Sequence, residues 1–163
     1  MARATCELGV VELRFRARLE EDFDRVRAVL QGPAERWLPG GRQADGTFLV
    51  RLRAGEPPLG LKREARVSVG PAQPHGWGLV VPLEWRAAVH PGLYPVLLGY
   101  LRAEPGAEGG TRLRFDARYT PPGGGVGNAA DRALLHRLAR TTVERFFLEV
   151  TSGLRDAAGG GVA

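Results

Sequence analysis

Thr111-Arg-Leu-Arg-Phe-Asp-Ala-Arg-Tyr119, then Thr120-Pro-Pro-Gly-Gly-Gly-Val-Gly127, then an amphipathic segment from Asn128 to about Leu154, is the stretch that decides the fold. The first part alternates strictly: Leu113, Phe115 and Ala117 share one side, Arg112, Arg114, Asp116 and Arg118 the other. That is the pattern of a strand with one buried face. The Pro/Gly break ends it. Asn128 is a good N-cap, with Asp131 three residues on approximating a capping box. At about 100° per residue, Leu135, Leu138, Ala139, Thr142, Val143, Phe146 and Val150 form one broad apolar stripe. Arg137, Arg140, Glu144 and Leu148 lie largely opposite, and Gly153 is expected to end the helix. A helix with such a stripe needs an apolar surface to lie on, and the preceding sequence supplies a sheet.

Working back toward the N-terminus, the same alternation recurs. Val11, Leu13, Phe15, Ala17 and Leu19 face one way and Glu12, Arg14, Arg16 and Arg18 the other, which predicts a first strand. Residues 20–30 follow at helical spacing (Phe23, Val26, Leu30) with acidic residues in the first turn, where the helix dipole favours them. Gly32-Pro33 stops that helix, residues 34–38 can form one more short turn, and Pro39-Gly40-Gly41 closes it. From residue 46 to 120 the period is two. Strands are expected at 47–54, 59–69, 77–88, 93–104 and 111–119, with 70–76 as a connection and a turn at His90-Pro-Gly92. Short Gly/Pro links between successive strands imply an antiparallel meander. The fold class is therefore α+β: a curved antiparallel sheet of about six to seven strands wrapped around a long C-terminal helix, with two short helices after strand one.

Composition agrees with a soluble globular protein: 163 residues, 44% hydrophobic and 25% charged. One domain over residues 1–155 and a flexible tail over 156–163 are expected, the tail from Gly159-Gly-Gly161. No apolar run reaches the ~20 residues of a membrane span, so no stable membrane insertion is expected. The first residues lack the pattern of a signal peptide. Cys6 is the single cysteine, which excludes an internal disulfide and points to a reducing, cytoplasmic compartment. The net charge of +5 invites a nucleic-acid reading. Lys62 is the only lysine, however, and the arginines alternate with apolar residues as on the solvated face of a strand, so no nucleic-acid partner is expected.

The stripe and the strand faces place Trp85, Phe115, Tyr119 and Phe146 in one layer. Gly99, if inward, removes volume where helix or ligand comes close. Together these predict a pocket between sheet and helix, lined by Trp37, Leu83, Trp85, Gly99, Phe115, Tyr119, Leu138, Thr142, Arg145, Phe146 and Glu149. Arg145 and Glu149, four residues apart, would either pair along the helix or orient a ligand. Trp37 is either a core plug or part of the pocket mouth.

The order strand, helix, short helix, antiparallel strands and long C-terminal helix resembles the START-like (SRPBCC, helix-grip) superfamily, which includes polyketide cyclase/dehydratase-like proteins. Local features resemble its bacterial members: Leu30-Gln-Gly-Pro-Ala-Glu-Arg-Trp-Leu-Pro-Gly40, Leu93-Tyr-Pro-Val-Leu-Leu-Gly-Tyr-Leu-Arg102, and the run from Thr111 to Asp131. The resemblance spans residues 8–155. It implies a protein that holds a hydrophobic or amphipathic small molecule between sheet and helix. Only some branches catalyse a reaction, and their catalytic residues vary, so no residue role carries over.

Catalytic signatures are missing from the sequence. Gly123-Gly-Gly-Val-Gly127 lacks the Lys-Ser/Thr of a Walker loop and reads as a strand-to-helix hinge. His75, His90 and His136 are not at metal-ligand spacing. There is no Gly-x-Ser-x-Gly elbow or Cys/His pairing. The expectation is a binding or transfer protein with no cofactor, no metal and no catalytic residue. The alternative is a cyclase, aromatase or dehydratase using Arg145, Glu149, Tyr119 or His136 as pocket polar groups. A third possibility is an interaction module meeting an anionic partner through its arginine-rich face. An exposed strand edge would also allow a homodimer.

Overall fold

In the computed structural model, residues 10–54, 61–88, 96–120 and 129–160 are described. Cys6, the His90 turn, the glycine-rich hinge, the Asn128 cap and the side chain of Leu135 lie outside them. Strand β1 (Val11–Leu19) leads to helix α1 (Phe23–Gln31) and a 3-10 turn at Ala34–Arg36. Then come β2 (Gly41–Arg42), β3 (Phe48–Ala54), β4 (Leu61–Val69), β5 (Gln73–His75), β6 (Gly78–Ala87), β7 (Leu97–Pro105) and β8 (Thr111–Tyr119). Helix α2 (Ala129–Gly159) closes the chain.

The strands form one antiparallel sheet in the order β1-β8-β7-β6-β4-β3-β2, with β5 paired to β6. Eight strands replace the expected six to seven. The two extra ones, β2 and β5, are two and three residues long, too short to show a period. The meander from β3 to β8 follows the sequence order, and β1 completes the sheet by pairing with the last strand, Val11 opposite Tyr119 and Leu19 opposite Thr111.

Alternation resolves as expected. Leu13, Phe15 and Leu19 of β1, Val81 and Leu83 of β6, Leu97, Leu101 and Ala103 of β7, and Leu113, Phe115 and Ala117 of β8 are buried on the inner face. Helix α2 lies across that face, against β1, β3 and α1. Its buried side chains among the described residues are Val143, Phe146, Phe147, Val150, Thr151, Leu154 and Ala158, while Leu138 and Thr142 are half-exposed. Among the described side chains, burial therefore concentrates from Val143 onward. Asp22 caps α1 by accepting a hydrogen bond from the Asp24 backbone N–H at 2.8 Å. Glu35 pins the 3-10 turn to β2 through Arg42 at 2.6 Å, and that bond holds its carboxyl below the usual range.

Gly153 does not end the helix. It continues to Gly159, and residues 156–159, expected in a tail, are its last turn, with Ala158 buried. The reason is packing: a Cβ at Gly153 would fall on the Trp37 carbonyl oxygen, so the glycine lets helix and turn backbones touch.

Candidate functional site

The middle of the helix–sheet interface is a layer of rings. Trp85 meets Phe146 edge-on at a centroid distance of 5.1 Å. Phe115 packs against Phe146 and Phe147, both at 6.1 Å, lying nearly parallel to Phe147. Such contacts add about 0.5–1.5 kcal/mol each beyond burial. Gly99 faces inward beside Leu83, its cross-strand neighbour. The volume it vacates is not left open: a methyl there would lie 2.5 Å from Phe115 Cζ. The ring from the neighbouring strand uses the space, so Leu83, Gly99 and Phe115 are core, with Trp85 half-buried against it.

Trp37 also belongs to the core. It is 2% exposed, sits against Gly153, and lies two helical turns, about 10 Å, from the level of Phe146. Its indole Nε1 is buried without a hydrogen-bond partner among the described residues.

Of the remaining expected residues, Leu138 is half-exposed and lines neither of two grooves on the flanks, and the others border one or the other. The first, of about 210 Å3, lies between β3 and α2 and is lined by Arg51, Leu52, Thr142, Arg145, Phe146, Leu148 and Glu149. Thr142 donates its hydroxyl to the Leu138 carbonyl at 2.7 Å, which satisfies it within the helix. Glu149 and Leu148 are exposed, Arg145 half-buried. The second groove, about 370 Å3, is lined by Val10, Val96, Leu98, Arg118, Tyr119 and Thr120. Tyr119 is 7% exposed, and burial pushes its phenol above the usual value of 10.0. His136, half-exposed, lines neither groove.

No protein-family model and no curated protein sequence matches the chain. Solved structures do. A protein of unknown function from Staphylococcus aureus superposes with a TM-score of 0.59 at 8% identity, over 94% of this chain and 96% of that one. A Thermus thermophilus protein gives 0.54 at 15% identity, over 94% and 100%. The Zhui aromatase/cyclase from Streptomyces sp. R1128 gives 0.54 at 16%, over 95% and 97%. The fold is a helix grip, a curved antiparallel sheet closed by a long C-terminal helix. At these identities the likeness concerns the fold alone.

Thr142, Arg145, Phe146, Glu149 and Tyr119, expected to line one pocket between sheet and helix, are divided between the two flank grooves. Arg51 and Leu52 were missed because nothing local says that the edge-proximal β3 runs beside α2. Leu148 was assigned to the opposite face of the helix, and at 58% exposed it forms the groove's outer lip. Among the described residues, no group of three His, Cys, Asp or Glu side chains is placed to hold a metal. No described helix is long and apolar enough to cross a membrane.

Proposed function

We propose that this protein binds a hydrophobic or amphipathic small molecule and that the groove between β3 and α2 is its seat. The observation that carries this reading is the composition of that groove. Leu52, Phe146 and Leu148 supply apolar wall while Arg51, Arg145, Glu149 and Thr142 supply a few polar groups at its border, the usual make-up of a small-molecule site. Its volume is below the roughly 300–1,000 Å3 of drug-sized sites. The ligand in this reading is a small compound, or a longer one that leaves part of itself outside. Affinity would come from apolar area removed from water, about 25 cal/mol per Å2, and the arginines favour an anionic head.

The test is native mass spectrometry of the purified protein, followed by titration with laurate and with anilinonaphthalene sulfonate. Leu148→Glu places a charge on the groove's lip at an exposed position, so the fold tolerates it. Binding should weaken about tenfold, the loss of one desolvated apolar contact (about 1.4 kcal/mol). A wild-type protein that carries and takes up no apolar molecule rejects the proposal, as does unchanged binding by the variant.

The enzymatic alternative, a cyclase, aromatase or dehydratase, needs ionisable groups converging in one cavity. Tyr119 lines one groove, Arg145 and Glu149 the other. Arg145 and Glu149 share a groove, but Glu149 stands exposed at its border, not enclosed with a proton donor, and that favours binding over catalysis.

A further inference from the structure

The outer face of β1, β8 and β7 has a charge pattern that the fold does not need. Its outward positions carry seven arginines (Arg14, Arg16, Arg18, Arg102, Arg112, Arg114, Arg118) against three carboxylates, Glu12, Glu104 and Asp116. The excess of four compares with a net charge of +5 for the whole chain. Register sharpens the point. Arg16 lies directly opposite Arg114 and Arg114 directly opposite Arg102, so three cations stand in one row across three strands, about 5 Å apart per strand. Arg18 likewise faces Arg112. Like charges directly opposite destabilise a sheet.

Counter-ions only partly relieve the row. Asp116 Oδ2 accepts from Arg102 Nη1 at 3.0 Å and from Arg114 Nε at 2.7 Å, and Arg14 Nε stands 3.9 Å from Oδ1. Glu104 and the exposed Glu108 reach Arg112 and Arg18 at 3.4 and 3.5 Å. Arg16 and Arg118 have no carboxylate partner among the described residues. Beside the row the face turns apolar. Val10 is 54% exposed and Tyr100 39% exposed, and Val96 and Leu98 are half-exposed in the second groove, with Arg118 on its wall.

We propose that this face docks an acidic, partly apolar segment of a partner protein, whose carboxylates bridge the arginine row while aliphatic side chains enter the groove of Val10, Val96 and Leu98. Arginine's planar fork matches carboxylates two at a time, and its opposed arrangement here stores repulsion that an arriving anion releases. The neighbouring walls are aliphatic apart from the tyrosines. That suits a protein partner better than a single-stranded nucleic acid, which asks for aromatic platforms.

The experiment titrates the full chain with a soluble acidic peptide rich in glutamate and leucine, with its leucine-to-serine counterpart, with a single-stranded oligothymidylate and with phosphatidylglycerol vesicles. The leucine-containing peptide should bind best, with affinity falling as salt rises from about 50 to about 200 mM. Arg16→Glu and Arg118→Glu should each weaken it about tenfold or more, and Arg16→Glu should raise the melting temperature by relieving the row. A purely structural arginine would not show that combination. Arg25→Glu, the same charge change on exposed α1, should stay within about twofold. Absence of binding at low salt, an equal loss in Arg25→Glu, or tighter binding of the oligonucleotide or the vesicles overturns the proposal.

Discussion

At a helix-interior position a glycine normally costs about 1 kcal/mol relative to alanine, and at Gly153 that sign reverses. The Trp37 carbonyl oxygen occupies the place of the missing methyl, so Gly153→Ala should destabilise the protein by about 1–3 kcal/mol, the usual range for overpacking. Gly99→Ala should fall in the same range, because Phe115 Cζ is 2.5 Å from the added carbon. Urea titrations of both variants decide it; a more stable Gly153→Ala would show that helix and turn do not touch. Tyr119 sets a limit at alkaline pH. Its phenol titrates higher in the folded protein than in the unfolded chain. Above about pH 10 the unfolded state therefore loses its proton first, and stability drops as pH rises from there through the folded value. Tyr119→Phe should flatten that drop in thermal melts recorded between about pH 9 and 11.

Among the elements, α2 shows where length and register matter. Cutting the chain after Arg155 removes what reads as a glycine-rich tail but is a helical turn with Ala158 buried. The truncated protein should lose about 1–2 kcal/mol of stability by apolar area alone, whereas a cut after Gly160 should lose little. Circular dichroism melts separate the two. Strands β1 and β8 were legible because Arg14, Arg16 and Arg18 alternate with Leu13, Phe15 and Leu19, and the α2 stripe because Val143, Phe146 and Val150 recur at helical spacing. Strands β2 and β5 were not legible, since neither spans two full alternations. The role of Gly153 was hidden because its contact, Trp37, is over a hundred residues away in sequence. The grooves were half legible: periodicity says which residues of one element share a face, but not which edge of another lies alongside, and so Leu52 and Leu148 escaped.

For the molecule as a whole, the decisive contact joins the first strand to the last. Each β1–β8 pair closes a loop of about a hundred residues, while β6, β7 and β8 are sequence neighbours. Loop-closure entropy is met before such pairing is rewarded, so the neighbours should assemble first and β1 should add late. Leu13→Ala should cost about 2–5 kcal/mol, expressed mainly as faster unfolding with little change in the folding rate. Stopped-flow measurements showing folding slowed by the full amount would place β1 in the early nucleus instead.

The plug formed by Phe115 over Gly99 has one more consequence. A single benzyl group separates a solid grip from a hollow one, because the glycine keeps its own side of that space bare. Trimming it to a methyl, as in Phe115→Ala, would open a dry chamber walled by Leu83, Trp85 and Phe146, the sort of void that takes up benzene or xenon. Evolution or an engineer could turn this scaffold into a receptor by subtraction alone.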